Sequence, residues 1–181
     1  MFEARTSDAS MIEVHVAQGG FHVSESPDEV IKTLLGSCVA TCLFDPVARV
    51  GGMNHFLLAG GPDQMAQSER YGFYAMEVLI NGLLKLGANK SRIEAKLFGG
   101  ATMSGIMGHI GKKNCDFAIS FLECEGLPIR AMSLGGTQAR LLRFVPSTGR
   151  ASQRLVDDIE PEVQPIKTVS PATDDIQFFE D

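Results

Sequence analysis

The stretch 35-LGSCVATCLFDPVARVGGMNHFLL-58 holds two segments, 37–44 and 49–58, built of apolar, β-branched or small residues and separated by Asp45-Pro46. That punctuation predicts two antiparallel strands joined by a turn. A reversal centred between Pro46 and Val47 sets Cys38 directly opposite His55. Opposed residues carry Cβ atoms about 4.5–5.5 Å apart on one sheet face, so a thiol and an imidazole could meet there. Two features bear on the register: Pro46-Val47 cannot form the I′ turn that tight hairpins favour, and Gly51-Gly52 could host a bulge. A slip of one residue would put the pair on opposite faces.

Outward from this hairpin, MIEVHVA (11–17) reads as a strand ended by Gly19-Gly20. From Ser68 to Leu86 the residues Tyr71, Tyr74, Ala75, Val78, Leu79, Gly82, Leu83 and Leu86 keep helical spacing, stopped at Gly87. IEAKLFGGA (93–101) predicts a strand running into a glycine turn, and Cys115, Ala118, Ile119 and Leu122 mark a second amphipathic helix ending at Gly126. PIRAMSLGG (128–136) and ARLLRFVP (139–146) read as two more strands with Gly135-Gly136 as their turn. The expected fold is a single α+β or layered α/β domain, with a mixed or antiparallel sheet system, two main helices and the Cys-His hairpin at its site.

Composition bounds what such a domain does. The 181 residues are 44% hydrophobic and 21% charged, with no apolar run near the ~20 residues of a membrane span. The N-terminal MFEARTSDASMIEV carries acids and no apolar core of a secretory signal, which points to the cytoplasm. Residues 151–181 hold eight acids and two bases, so the whole net charge of −6 sits there and residues 1–150 are neutral. A neutral body without a basic stripe argues against nucleic-acid binding. The segment 151–181, with Pro161, Pro165 and Pro171, reads as an acidic, disordered tail on a domain of residues 1–150. It ends in Ile176, Phe178 and Phe179 among acids, the composition of either a short docking motif or a solvated tail.

The four cysteines are expected as free thiols, with Cys42, Cys115 and Cys124 buried. Cys38 and Cys42 lack CxxC spacing and His15, His22, His55 and His109 lack paired helical spacing, so no metal site is expected. Met53, Met103 and Met107 fit either an adaptable rim or gaps in the core. Cys38 follows Gly36-Ser37, where a sharp strand approach can leave N–H groups to hold an oxyanion. An imidazole opposite it can take the thiol proton and make a reactive thiolate below the free-thiol pKa of about 8.5. The residues alone leave the other reading open, in which both are simply buried.

The same stretch resembles the signature of the CheD family of chemoreceptor glutamine deamidases, in which a GSC cysteine precedes a GGMxH histidine by this seventeen-residue spacing. The resemblance continues through ERYGFYAMEVLINGLLKLGA, LFGGATM, IGKKN and GGTQARLLRFVPSTG, covering roughly residues 11 to 150. It implies a cysteine-dependent protein-glutamine glutaminase without cofactor, Cys38 as nucleophile and His55 as base. It also implies a third member, a threonine before the GSC, for which Thr33 is the nearby candidate; its task of orienting His55 could equally fall to Asn54 or a backbone carbonyl. Ser37, Asn54, Gly99 and Gly100 are candidates for the oxyanion hole or the groove that admits a receptor helix, the two glycines having a turn role as their alternative. The family further implies chemoreceptor cytoplasmic helices as protein substrate, a possible receptor methylesterase activity and a CheC-type phosphatase as partner. The alternative is a non-catalytic chemotaxis adaptor that binds receptors or such a phosphatase. A cysteine peptidase would need a Cys-His-Asn arrangement that the sequence does not display.

Overall fold

The computed structural model describes residues 11–58, 64–103 and 109–157. In chain order its strands and helices are β1 (Ile12–His15), β2 (Phe21–Ser24), β3 (Glu29–Leu35), β4 (Val39–Asp45), β5 (Val50–Phe56), α1 (Met65–Lys85), β6 (Glu94–Gly99), α2 (Ile110–Cys124), β7 (Ile129–Leu134), β8 (Ala139–Val145) and β9 (Arg150–Val156). Five strands form one mixed sheet in the order β2-β5-β4-β6-β7, and four form a second in the order β1-β3-β8-β9. The α+β class expected from the sequence is observed.

Alternation along β4 and β5 decides the layering. Val39, Leu43 and Phe56 face a core made with Met76, Leu79 and Leu83 of α1 and Ala118 and Leu122 of α2. The opposite face, with Ala40, Cys42 and Met53, packs against Ile31, Leu35, Leu142 and Phe144 of the four-stranded sheet. Helices, sheet and sheet therefore stack in three layers, and β4 and β5, buried on both sides, read as continuous apolar runs for that reason. Each fully buried Leu, Ile, Phe or Met in these two cores contributes about 1.5–3 kcal/mol.

The predicted hairpin is present, but its register differs. Ala40, not Cys38, pairs with His55, because the turn spans Pro46–Arg49 between the paired residues Asp45 and Val50. Asp45 sets this longer turn: its carboxylate accepts from the N–H groups of Val47 (2.9 Å) and Ala48 (3.1 Å), and its carbonyl accepts from Arg49 N–H (2.8 Å). Arg49 takes a left-handed φ of 57°. Burial alone would raise the Asp45 carboxyl, yet hydrogen bonds from Arg92, Asn89, Ala48 and Val47 outweigh it and hold the group well below the usual carboxylate range. The shift from the expected register is two residues, so Cys38 and His55 keep the same face. No bulge forms at Gly51-Gly52; the ladder runs unbroken, and a Cβ at Gly51 would lie 2.4 Å from the Pro146 carbonyl oxygen.

Other expectations are corrected. Gly135-Gly136 does not close a hairpin: β7 pairs in parallel with β6 and β8 antiparallel with β3, so this turn carries the chain from one sheet to the other. The boundary drawn at residue 150 cuts a strand, since β9 pairs with β8 along its whole length from Val145↔Arg150 to Ala139↔Val156. The rest of the acidic tail, like Met107, lies outside the described residues. Cys124 is exposed rather than buried, whereas Cys38, Cys42 and Cys115 are buried and all four are free thiols. Met53 belongs to the core.

Candidate active site

Odd-numbered residues of β3 point inward, so Thr33, fully buried, reaches across the gap between the sheets to His55 on β5. Thr33 Oγ1 lies 2.8 Å from His55 Nδ1 and 2.7 Å from the Val16 carbonyl oxygen. A hydroxyl has one proton, and a carbonyl can only accept, so Thr33 donates to Val16 and accepts from His55 Nδ1–H. That fixes the tautomer: the lone pair is on Nε2. Among the described residues this buried nitrogen has no hydrogen-bond partner. Burial pushes the imidazole below its ordinary pKa of 6.5, only partly offset by the Val16 carbonyl, which lies 3.4 Å from Nδ1. Burial therefore favours the neutral imidazole, whose accepting nitrogen is Nε2.

Cys38 precedes β4 on the same inner face, 9% exposed. Its Sγ–H donates to Gln18 Oε1 at 3.5 Å. Burial pushes this thiol up to about 11, and its own backbone N–H offsets part of that effect. Burial thus works against the low-pKa thiolate expected from the sequence, and among the described residues no hydrogen bond joins Sγ to His55 Nε2. Cys42, deeper in the same core, is raised further by complete burial.

The Gly-Ser-Cys segment is held by all three of its carbonyls. Gly36 O accepts from Ala101 N–H (2.9 Å), Ser37 O from Asn114 Nδ2 (2.8 Å) and Cys38 O from Gly100 N–H (2.7 Å). Asn114, fully buried on α2, also accepts from Leu58 N–H (2.8 Å) and so ties the cysteine loop to the end of the histidine strand. Gly99 and Gly100 back this loop instead of lining a groove. Their φ values are 114° and 67°, and a Cβ on Gly99 would lie 2.1 Å from Cys38 O. Buried Arg140 holds Gly99 from behind by donating to its carbonyl at 2.8 Å. Asn54 is not part of the site: its side chain lies on the helix face of β5, bonded to Thr41 N–H (3.0 Å) and the Ala75 carbonyl (3.0 Å).

Asn114 and Gln18 were not singled out in the sequence. Asn114 carried a signal, a polar side chain on the α2 stripe Gly111, Asn114, Cys115, Ala118 that is otherwise apolar or small. A groove of about 420 Å³ lined by Gln18, Leu57, Gln64, Gln67, Ser68 and Tyr71 opens beside the thiol's partner. A larger cavity of about 800 Å³, lined in part by Ser24, Arg49 and Ser147, lies at the β4–β5 turn and holds none of Thr33, Cys38 and His55. Among the described residues, no cluster of three or more His, Cys, Asp or Glu is placed to hold a metal ion, and no helix is long and apolar enough to cross a membrane.

Residues 58–155 match the family model described as CheD chemotactic sensory transduction. The chain belongs to the CheD family. A relative from Cereibacter sphaeroides is 51% identical over 95% of this chain and 88% of its own. One from Agrobacterium fabrum is 45% identical over 95% and 99%, and one from Caulobacter is 46% identical over 99% and 100%. All three bear the name "Probable chemoreceptor glutamine deamidase CheD". The matched stretch begins at Leu58 and so leaves out Thr33, Cys38 and His55, whereas the alignments to CheD relatives extend across nearly the entire chain. Among solved structures, a Bacillus licheniformis hypothetical protein, YfiH, is similar at 16% identity and a TM-score of 0.43, over 62% of this chain and 49% of that one, too distant to carry an argument.

Proposed function

We propose that the chain is a chemoreceptor glutamine deamidase, a cysteine-dependent protein-glutamine glutaminase of the cytoplasm, with Cys38 as nucleophile, His55 as base and acid, and Thr33 as positioning residue. The observation that carries this reading is the buried Thr33–His55 pair, which leaves Nε2 unpartnered on the face that also holds Cys38. Sγ forms a bond to the carboxamide carbon of a receptor glutamine while its proton passes to Nε2. The N–H groups of Ser37 and Cys38, on a loop whose carbonyls are already held, take the oxyanion. Collapse breaks the C–N bond, and imidazolium gives its proton to the departing ammonia. Neutral His55 then deprotonates a water that attacks the thioester, the C–S bond breaks, and glutamate and the free thiol result. The product gains one negative charge, which changes repulsion between neighbouring receptor helices.

A methyl ester on a receptor glutamate would follow the same acyl route with methanol as leaving group. A CheC-type phosphatase as partner also belongs to this reading, and the catalytic unit extends through β9 instead of ending at residue 150. Mass spectrometry of a receptor cytoplasmic fragment is the test. Cys38→Ala should abolish the gain of about 1 Da per converted glutamine and Cys42→Ala should retain it. Deamidation by Cys38→Ala at the wild-type rate would refute the assignment.

A further inference from the structure

The side chain that meets the Cys38 thiol is itself a glutamine. Gln18 stands at the tip of a tight turn closed by Gly20 N–H to the Ala17 carbonyl (2.9 Å), with Gly19 at a φ of 85°, the conformation a type II turn requires of its third residue. Two further bonds pin this turn to the histidine itself: Gly19 N–H donates to the His55 carbonyl (2.7 Å) and His55 N–H to the Gly20 carbonyl (3.0 Å). The Gln18 backbone is therefore fixed relative to His55. Its side chain is not, since the residue is exposed and glutamine has three rotatable bonds.

We propose that Gln18 is an internal mimic of the substrate, whose carboxamide occupies the place of the incoming receptor glutamine's carboxamide and must swing out before substrate is bound. The proposal rests on Cys38 being the nucleophile. Two observations carry it. The thiol donates to Gln18 Oε1, while among the described residues His55 Nε2, the nitrogen that should receive its proton, has no hydrogen-bond partner. The contact is also made at the carboxamide oxygen, whereas nucleophilic attack requires the sulfur at the carbon, so the group is held and not consumed. A receptor glutamine that displaces Gln18 brings its carbon to the sulfur and releases the proton toward Nε2. The swing costs only the contact to the thiol, because the turn stays pinned.

Alkylation of Cys38 by iodoacetamide in the full-length protein, followed on its peptide by mass spectrometry without receptor, tests the idea beside kcat/KM for deamidation of a receptor fragment. Gln18→Ala should raise both together by about 2- to 10-fold, the factor set by one net hydrogen bond. Gln18→Glu, which keeps acceptor oxygens and adds a negative charge beside the sulfur, should alkylate more slowly than wild type. Unchanged or slower alkylation of Gln18→Ala would overturn the proposal. So would faster alkylation with a fall in kcat/KM, which would make Gln18 a group that binds substrate. A peptide covering position 18 that is about 1 Da heavier in wild type than in Cys38→Ala would make Gln18 a substrate in cis and overturn it as well. Alkylation needs no receptor, so this result is read independently of whether Cys38→Ala loses deamidation.

Discussion

Replacing Thr33 by valine deletes one hydroxyl at nearly constant volume, and two bonds go with it. The Val16 carbonyl loses its 2.7 Å donor and His55 Nδ1–H its 2.8 Å acceptor, both in a place where Thr33 is fully buried. Buried polar groups left unpaired cost about 1–3 kcal/mol, which for a domain of this size lowers Tm by roughly 2–4 °C per kcal/mol. The effect on rate is limited by a fallback: the Val16 carbonyl already lies 3.4 Å from Nδ1 and can accept its proton after a small tilt of the ring, keeping the tautomer. We therefore expect kcat/KM to fall about 10- to 100-fold, less than the roughly 10⁴-fold loss that accompanies an inverted tautomer. A purely structural role would stop there, but the lost acceptor also stabilised the imidazolium, so the acid limb of the pH–rate profile should move to lower pH. Thr33→Ser restores the acceptor and should restore rate and profile. Rates measured by ammonia release from a receptor fragment across pH decide the matter. Wild-type kcat/KM in Thr33→Val, or Thr33→Ser as damaged as Thr33→Val, would refute the reasoning.

On the proposed assignment deamidation requires neutral His55, whose pKa burial lowers from 6.5, so the acid limb of kcat/KM should have its midpoint below pH 6.5; a midpoint above pH 7 would contradict the burial argument. Resting Cys38 should alkylate slowly at neutral pH and faster toward its pKa of about 11, and full reactivity at pH 7 would mean an ion pair that this geometry lacks. Asn114→Ala frees Ser37 O and Leu58 N–H together and should lower both Tm and kcat/KM, with Asn114→Asp recovering only the Leu58 bond; thermal melts beside kinetics check this. Truncation after Gly149 removes β9 and should unfold the four-stranded sheet, whereas truncation after Asp157 should leave Cys38 alkylation unchanged, as circular dichroism and labelling will tell.

Much of this site was legible because strand geometry has period two. The turn around Asp45 holds four residues instead of the symmetric minimum, which moves the register by two and leaves Cys38 and His55 on one face. Thr33 could be named, but its contact with His55 joins different sheets, and no local pattern records how sheets stack. β9 was hidden for another reason. Its sequence RASQRLV is largely exposed at a sheet edge, so pairing with β8 supplies its order and apolar patterning does not mark it. Gly135-Gly136 looked like a hairpin turn because turn chemistry is the same whether the chain returns to its own sheet or crosses to another. Gln18, an exposed polar residue before a glycine pair, had nothing in the sequence to distinguish it from any surface turn.

The imidazole belongs to one sheet and the hydroxyl that aims it to the other, and the strand that flanks Thr33, with Leu142 opposite, arrives more than a hundred residues later in the chain. During synthesis, then, Cys38 and His55 emerge well before β8, the strand that pairs with β3 and flanks Thr33. Side-chain amides of glutamine are abundant on every nascent and folded protein in a cell. On the assignment proposed above, a fragment that ends before β8 should deamidate such amides more slowly than the whole chain, because the hydroxyl that aims His55 then lacks the strand that flanks it.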